Sequence, residues 1–110
     1  MASPRKPTPE EETFLEFLIK KASVKFSADW KDGLLVKSMT EDEMGSLYLF
    51  PKGITSEDRE FGDEVSEYIF KDEDRREVIA TLTIDDRGNL FELDIWKTDF
   101  SALIKFPAVK

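Results

Sequence analysis

The stretch Ile79-Ala80-Thr81-Leu82-Thr83-Ile84-Asp85-Asp86-Arg87-Gly88-Asn89-Leu90-Phe91-Glu92-Leu93-Asp94-Ile95-Trp96 decides the fold. Two runs alternate apolar and polar residues, and Asp, Gly and Asn between them supply turn chemistry, which is the signature of a β-hairpin. With Arg87-Gly88 as a tight turn between Asp86 and Asn89, Ile84 faces Phe91, Leu82 faces Leu93 and Ala80 faces Ile95. A slip of one residue would set Leu82 against Glu92 and Ala80 against Asp94, so burial of one face specifies the register.

Upstream, residues 64–71 read as a third strand. A turn over Asp72 to Arg75 sets Lys71 opposite Arg76, Ile69 opposite Val78 and Val65 opposite Leu82. Two features of this register fit poorly. Lys71 and Arg76 are like charges face to face, and Glu67 shares the core side with Ala80, which a bulge or an edge position would explain. Residues 34–39 and 46–50 form a second hairpin with an acidic connection ending in Gly45, and Pro51-Lys52-Gly53 closes it. Residues 54–62 read as a polar crossing loop, and residues 23–33 as a loop with Phe26 and Trp30 turned inward.

Thr8-Pro9-Glu10-Glu11 carries a capping box, proline at the first helical position and carboxylates at the positive end of the dipole. Phe14, Leu15, Leu18, Ile19 and Ala22 then recur at helical spacing, so a helix over 9–22 has one apolar stripe to bury. It is expected to cover Ala80, Leu82, Phe91, Leu93 and Ile95. The fold class is therefore α+β: an N-terminal helix packed on a mainly antiparallel sheet of about five strands, near 34–39, 46–50, 64–71, 76–85 and 90–96. Residues 9–110 make a single domain, preceded by a flexible N-terminus over residues 1–8.

The 110 residues suit one core, and 40% apolar content suffices for folding. The chain has neither Cys nor His, which excludes disulfides, thiolate metal sites, Ser-His and Cys-His triads and HExxH zinc sites. Asp and Glu total 24 against 16 Lys and Arg, a net charge of −8 that disfavours nucleic acid and anionic membranes as partners. No run approaches a membrane span and the N-terminus lacks a signal-peptide apolar run, so a cytoplasmic location is expected.

No catalytic residue, cofactor site or metal site is assigned. Asp72-Glu73-Asp74 begins like a calcium loop, but Arg75-Arg76 stands where oxygens and Gly are needed. Met44-Gly45-Ser46 follows three acidic residues that would repel a phosphate, and no partner is fixed for a Ser46-Lys37 or Ser46-Lys52 nucleophile. Glu92 and Asp94 share a strand face, the minimum for a carboxylate pair in acid/base chemistry, although wet strand faces routinely carry two acids.

The acidity is regional. Residues 41–77 hold 13 acids and five bases, an excess equal to the whole net charge. This reads either as solvated loops or as a negative surface that orients a basic protein. In the predicted register the face away from the helix carries Phe70 with Glu77, Tyr68 with Ile79 and Trp96, Ser66 with Thr81 and Asp94, and Glu64 with Thr83 and Glu92. Such an aromatic and acidic surface is what an interface needs. The competing expectation is that Phe100, Leu103, Ile104 and Phe106 carry the C-terminal segment across it. The candidate contact set is Asp42, Glu43, Glu64, Asp72, Asp74 and Glu92 as charges, with Tyr68 and Trp96 as anchors.

Met44-Gly45-Ser46-Leu47, Phe91-Glu92-Leu93-Asp94-Ile95-Trp96-Lys97-Thr98-Asp99-Phe100-Ser101 and Leu103-Ile104-Lys105-Phe106-Pro107 together resemble a family of small, uncharacterised, single-domain bacterial proteins. That family has a Gly-Gly-Met-Gly-Ser-like turn, an Asp-rich central hairpin and an ELDIWK-x-DFS-x-L ending. The chain departs from it at Asp42-Glu43, in place of glycines, and at Arg75-Arg76, in place of an Asp-Gly turn. The resemblance brings no activity, and in appearance such small acidic proteins are similar to immunity proteins of bacterial toxin systems. The expected function is a protein-binding module for a basic protein partner, in its most specific form an immunity-type inhibitor of a basic toxin. The alternatives are a ligand-binding or hydrolytic domain using Glu92 and Asp94, and a structural or regulatory subunit. A homodimer through an exposed strand or the aromatic face is a further expectation.

Overall fold

The computed structural model describes residues 3–39, 45–56, 58–99 and 101–107. The helix Pro9–Lys21 starts where its capping chemistry places it: Glu11 N donates to Thr8 Oγ1 at 3.2 Å, and Thr8 N donates to Glu11 Oε1 at 2.8 Å. Arg5 grips the same carboxylate through two bonds of 2.7 and 2.9 Å, while its backbone pairs with Val36. The segment before the helix is thereby tied to the sheet. Phe14, Leu15 and Leu18 are fully buried, as the apolar stripe requires.

Five strands follow: β1 (Leu35–Ser38), β2 (Leu47–Phe50), β3 (Phe61–Lys71), β4 (Glu77–Asp85) and β5 (Leu90–Lys97). They form one sheet in the order β1-β2-β5-β4-β3 with antiparallel neighbours throughout, so the fold is α+β with the N-terminal helix on one sheet face. The core lies between the helix and that face, where Val36, Leu49, Val78, Ala80, Leu82 and Leu93 are completely buried. Among the described residues no helix is long and apolar enough to cross a membrane.

In the β4–β5 hairpin Leu82 faces Leu93 and Ala80 faces Ile95, as the alternation predicts. The turn is one residue longer than expected, with Asp85 N donating to Asn89 O at 2.8 Å and Gly88 in the left-handed region at φ 83°. Ile84 therefore faces Leu90 rather than Phe91, and Phe91 is the extra residue of a bulge that restores the register at Thr83–Glu92. Phe91 is buried outside the main cluster, under the Arg59 guanidinium 4.9 Å from its ring.

The predicted β3–β4 register is corrected by one residue. Asp72 N donates to Arg76 O at 2.9 Å across a three-residue loop in which Arg75 adopts φ 68°. Lys71 consequently faces Glu77, Ile69 faces Ile79 and Tyr68 faces Ala80. Both misfits vanish, since Lys71 meets an acid and Glu67 lies opposite Thr81. Tyr68 and Phe70 turn toward the helix, with ring centroids 4.8 Å from Phe17 and 5.7 Å from Phe14 respectively. A bulge between Glu64 and Ser66 then returns Glu64 to face Thr83.

The C-terminal segment also takes the helix side, not the opposite one. Phe106 sits 5.3 Å from the Phe14 ring and Leu103 packs on the core. Two aromatic-rich elements thus share one face, because Phe14 offers the segment an apolar wall that the acidic face cannot. Phe100 lies outside the described residues.

Candidate functional site

With helix and C-terminal segment on one side, the other side of the sheet is assembled from alternate residues of the strands. One cross-strand row runs Glu64–Thr83–Glu92–Tyr48–Lys37 through all five strands. The next is Glu67–Thr81–Asp94, and the third is Ile69–Ile79–Trp96. Thr83 is buried and donates to Glu92 O at 3.3 Å, whereas Trp96 is 48% exposed and Ile69 51% exposed. The face thus passes from acidic to apolar over three rows.

Its electrostatics are strained. Partial burial raises the Glu92 pKa, and the neighbouring Asp94 charge raises it further against a smaller opposing pull from Arg59. Asp94 is raised by burial and then by Glu64. Ionised at neutral pH, these carboxylates repel one another in a partly dehydrated setting, which favours an incoming cation.

Two clamps hold the frame. Arg59, from the crossing loop, donates to Asp85 at 3.1 Å, to Leu90 O at 2.9 Å and to Leu49 O, and lies over the Phe50 and Phe91 rings. Burial alone would raise the Asp85 pKa, yet the Asn89 and Arg87 N–H groups and Arg59 hold it below its ordinary value. At the opposite end Lys97 is fully buried and donates to Asp72 at 2.9 Å and to Asp74 at 2.7 Å. Asp72 also accepts from Ile104 N at 2.7 Å and Lys105 N at 3.1 Å, so it fastens the β3–β4 turn to the C-terminal segment. Burial opposes the charge on Lys97, but Asp74 and Asp72 together raise its pKa.

Of the residues selected from sequence, the structure brings Glu64, Glu92 and Trp96 together on this face. Asp72 is buried with its oxygens engaged, and Asp74 shares Lys97. Tyr68 is half-buried on the helix side beneath the Lys21 ammonium, 4.7 Å from its ring. Asp42 and Glu43 lie outside the described residues. Ile69 was missed as a face residue. The facing Lys71 and Arg76 were the signal that the register had slipped.

The two sequence motifs meet beside β5. Ile95 N donates to Ser46 Oγ at 2.8 Å, which extends the β2–β5 ladder through a side chain. Gly45 has φ 106°, and a Cβ there would stand 3.2 Å from Leu103. A family model described as Domain of unknown function (DUF6984) matches residues 4–107. The chain belongs to this family. The DUF6984 match takes in the helix, both clamps and every row of the open face. No curated protein and no solved structure matches the chain. Within this DUF6984 domain, the Gly45-Ser46 pair and Leu103 set where the C-terminal segment leaves β5, and so keep that segment off the acidic face.

Proposed function

We propose that this DUF6984 domain is a protein-binding module whose open sheet face receives a basic protein. The observation that supports this most is the apolar row of Ile69, Ile79 and Trp96 beside the mutually repelling Glu64, Glu92 and Asp94. An exposed indole and isoleucine supply apolar contact area, and a partner Lys or Arg brought to Glu92 and Asp94 relieves their repulsion. The net charge of −8 speeds encounter with a cationic protein. An immunity-type inhibitor of a basic toxin is the specific form of this reading. Raised pKa values in a carboxylate pair also suit a general acid, which is the observation behind the second reading of a small hydrolytic domain.

Affinity capture from the native cell, with wild type beside Glu92→Lys/Asp94→Lys, tests the proposal. A basic protein retained by wild type and lost from the charge-reversed variant is the expected result. Retention by both, or recovery of no protein by either, overturns it. An activity abolished by Glu92→Gln without loss of binding would favour the hydrolytic reading.

A further inference from the structure

The two edges of the sheet are treated differently. At β1 the outer edge is covered, because Arg5 and Val36 exchange backbone hydrogen bonds of 2.8 and 2.7 Å. At β3, an 11-residue strand, the one backbone bond to a loop among the described residues runs from Ser23 N to Val65 O at 2.7 Å. That bond sits at the bulge. Beyond it the strand is regular from Ser66 to Lys71.

Which groups this edge offers follows from the turn. Asp72 N donates to Arg76 O, so the alternation of a ladder directs the backbone of Phe70, Tyr68 and Ser66 toward β4. The N–H and C=O groups of Glu67, Ile69 and Lys71 therefore point outward, away from the sheet. A bare edge of this kind is a template for another strand.

We propose that a second copy of this chain occupies the edge, β3 pairing antiparallel with β3 about a twofold axis at Ile69. Charge complementarity selects this partner and this register. With Ile69 opposite Ile69, Lys71 of each copy faces Glu67 of the other, and each of these facing pairs can exchange two backbone hydrogen bonds. Centring the axis on Glu67 sets two glutamates face to face, and centring it on Lys71 sets two lysines face to face. The Ser23 contact at Val65 falls just beyond the paired segment and leaves it free. Lys and Glu on an edge strand ordinarily discourage pairing; in this register they specify it. The assembly is isologous and joins the apolar rows of the two open faces through Ile69. It does not rest on the basic-partner reading.

Sedimentation velocity over a concentration series, in about 0.15 M salt to screen the repulsion between two acidic copies, tests it. Wild type is expected to show a monomer–dimer equilibrium. Lys71→Glu turns two attractive pairs repulsive and raises the dissociation constant about tenfold. Glu67→Lys, opposite Thr81 within its own chain, does the same without disturbing the Lys71–Glu77 pair. The double exchange Glu67→Lys/Lys71→Glu restores the dimer, and Trp96→Ala leaves it unchanged, with folding checked by circular dichroism. A monomer at every soluble concentration, single variants that dimerise like wild type, or a double exchange that fails to rescue would each overturn the proposal.

Discussion

The β3–β4 and β4–β5 hairpins are built alike at their tips, and only one was read in the correct register. Each closes with a three-residue loop whose last residue lies in the left-handed region, Arg75 at φ 68° and Gly88 at φ 83°. Both loops are one residue off the sequence reading. In β4–β5 the bulge at Phe91 cancels the difference before Leu82 and Leu93 meet. In β3–β4 no bulge intervenes until Ser66, so the shift persists and exchanges the two sides of the strand. A register is thus a sum of turn length and bulges, and a correct central pair does not certify the turn.

Alanine substitutions on both hairpins break this comparison most forcefully. Phe70→Ala and Leu93→Ala each delete a buried core side chain and should lower stability by about 2–5 kcal/mol in urea unfolding. Ile69→Ala, one position from Phe70 but outward, should cost less than about 1 kcal/mol. The register read from sequence demands the reverse order for Ile69 and Phe70.

The clamps at the two tips come next. Asp72→Ala strands the Lys97 ammonium and frees the Ile104 and Lys105 amides, while Asp85→Ala strands Arg59. Losing one member of a buried pair costs about 3–5 kcal/mol, and the two variants should fall near the same value in thermal unfolding. Removal of Asp72 should in addition loosen residues 101–107, read as faster amide exchange there, whereas removal of Asp85 should not.

The turn residues give opposite signs. Gly88→Ala forces a side chain into a left-handed position with no atom within 4 Å to clash, so the loss is purely conformational, about 1 kcal/mol. Arg75→Gly relieves the corresponding penalty and should stabilise by up to about 1 kcal/mol, measured as a shift of the denaturation midpoint.

The smallest effect concerns pH. Glu92 and Asp94 have folded-state pKa values above their ordinary ones, so the unfolded chain releases these protons first as pH rises. Their contribution to stability is complete below about pH 4 and is lost as pH climbs through the folded values. Glu92→Gln and Asp94→Asn should therefore stabilise the protein at pH 7, and the gain should vanish in acid. Asp72 and Asp85, held below their ordinary pKa, act in the opposite sense: their stabilisation is present at neutral pH and lost as pH falls through the lowered values.

Much of the fold was legible because strong local signals agreed: the Thr8 capping box, the Phe14-to-Ala22 stripe and the alternation of residues 79–96. The β3–β4 turn was not, because Arg75 occupies a position that usually advertises itself as Gly or Asn. The cost fell on the site, since the slip moved Tyr68 onto the face and Ile69 off it. Lys97 was opaque for a different reason. A lysine at the end of an alternating strand reads as exposed, and its burial depends on carboxylates 23 and 25 residues away. Glu64, Glu92 and Trp96 were readable because they inherit their side from the correctly registered hairpin or from the bulge that realigns β3 with it.

The central claim is that the face bearing Glu92, Asp94 and Trp96 binds a basic protein. It is tested most directly by the equilibrium affinity of the captured partner for wild type and for Glu92→Gln/Asp94→Asn, each at low and high salt. Affinity that falls with salt in wild type, and that is weaker and flatter with salt in the neutralised variant, is the predicted result. Equal affinities with equal salt dependence would place the partner elsewhere and contradict the claim.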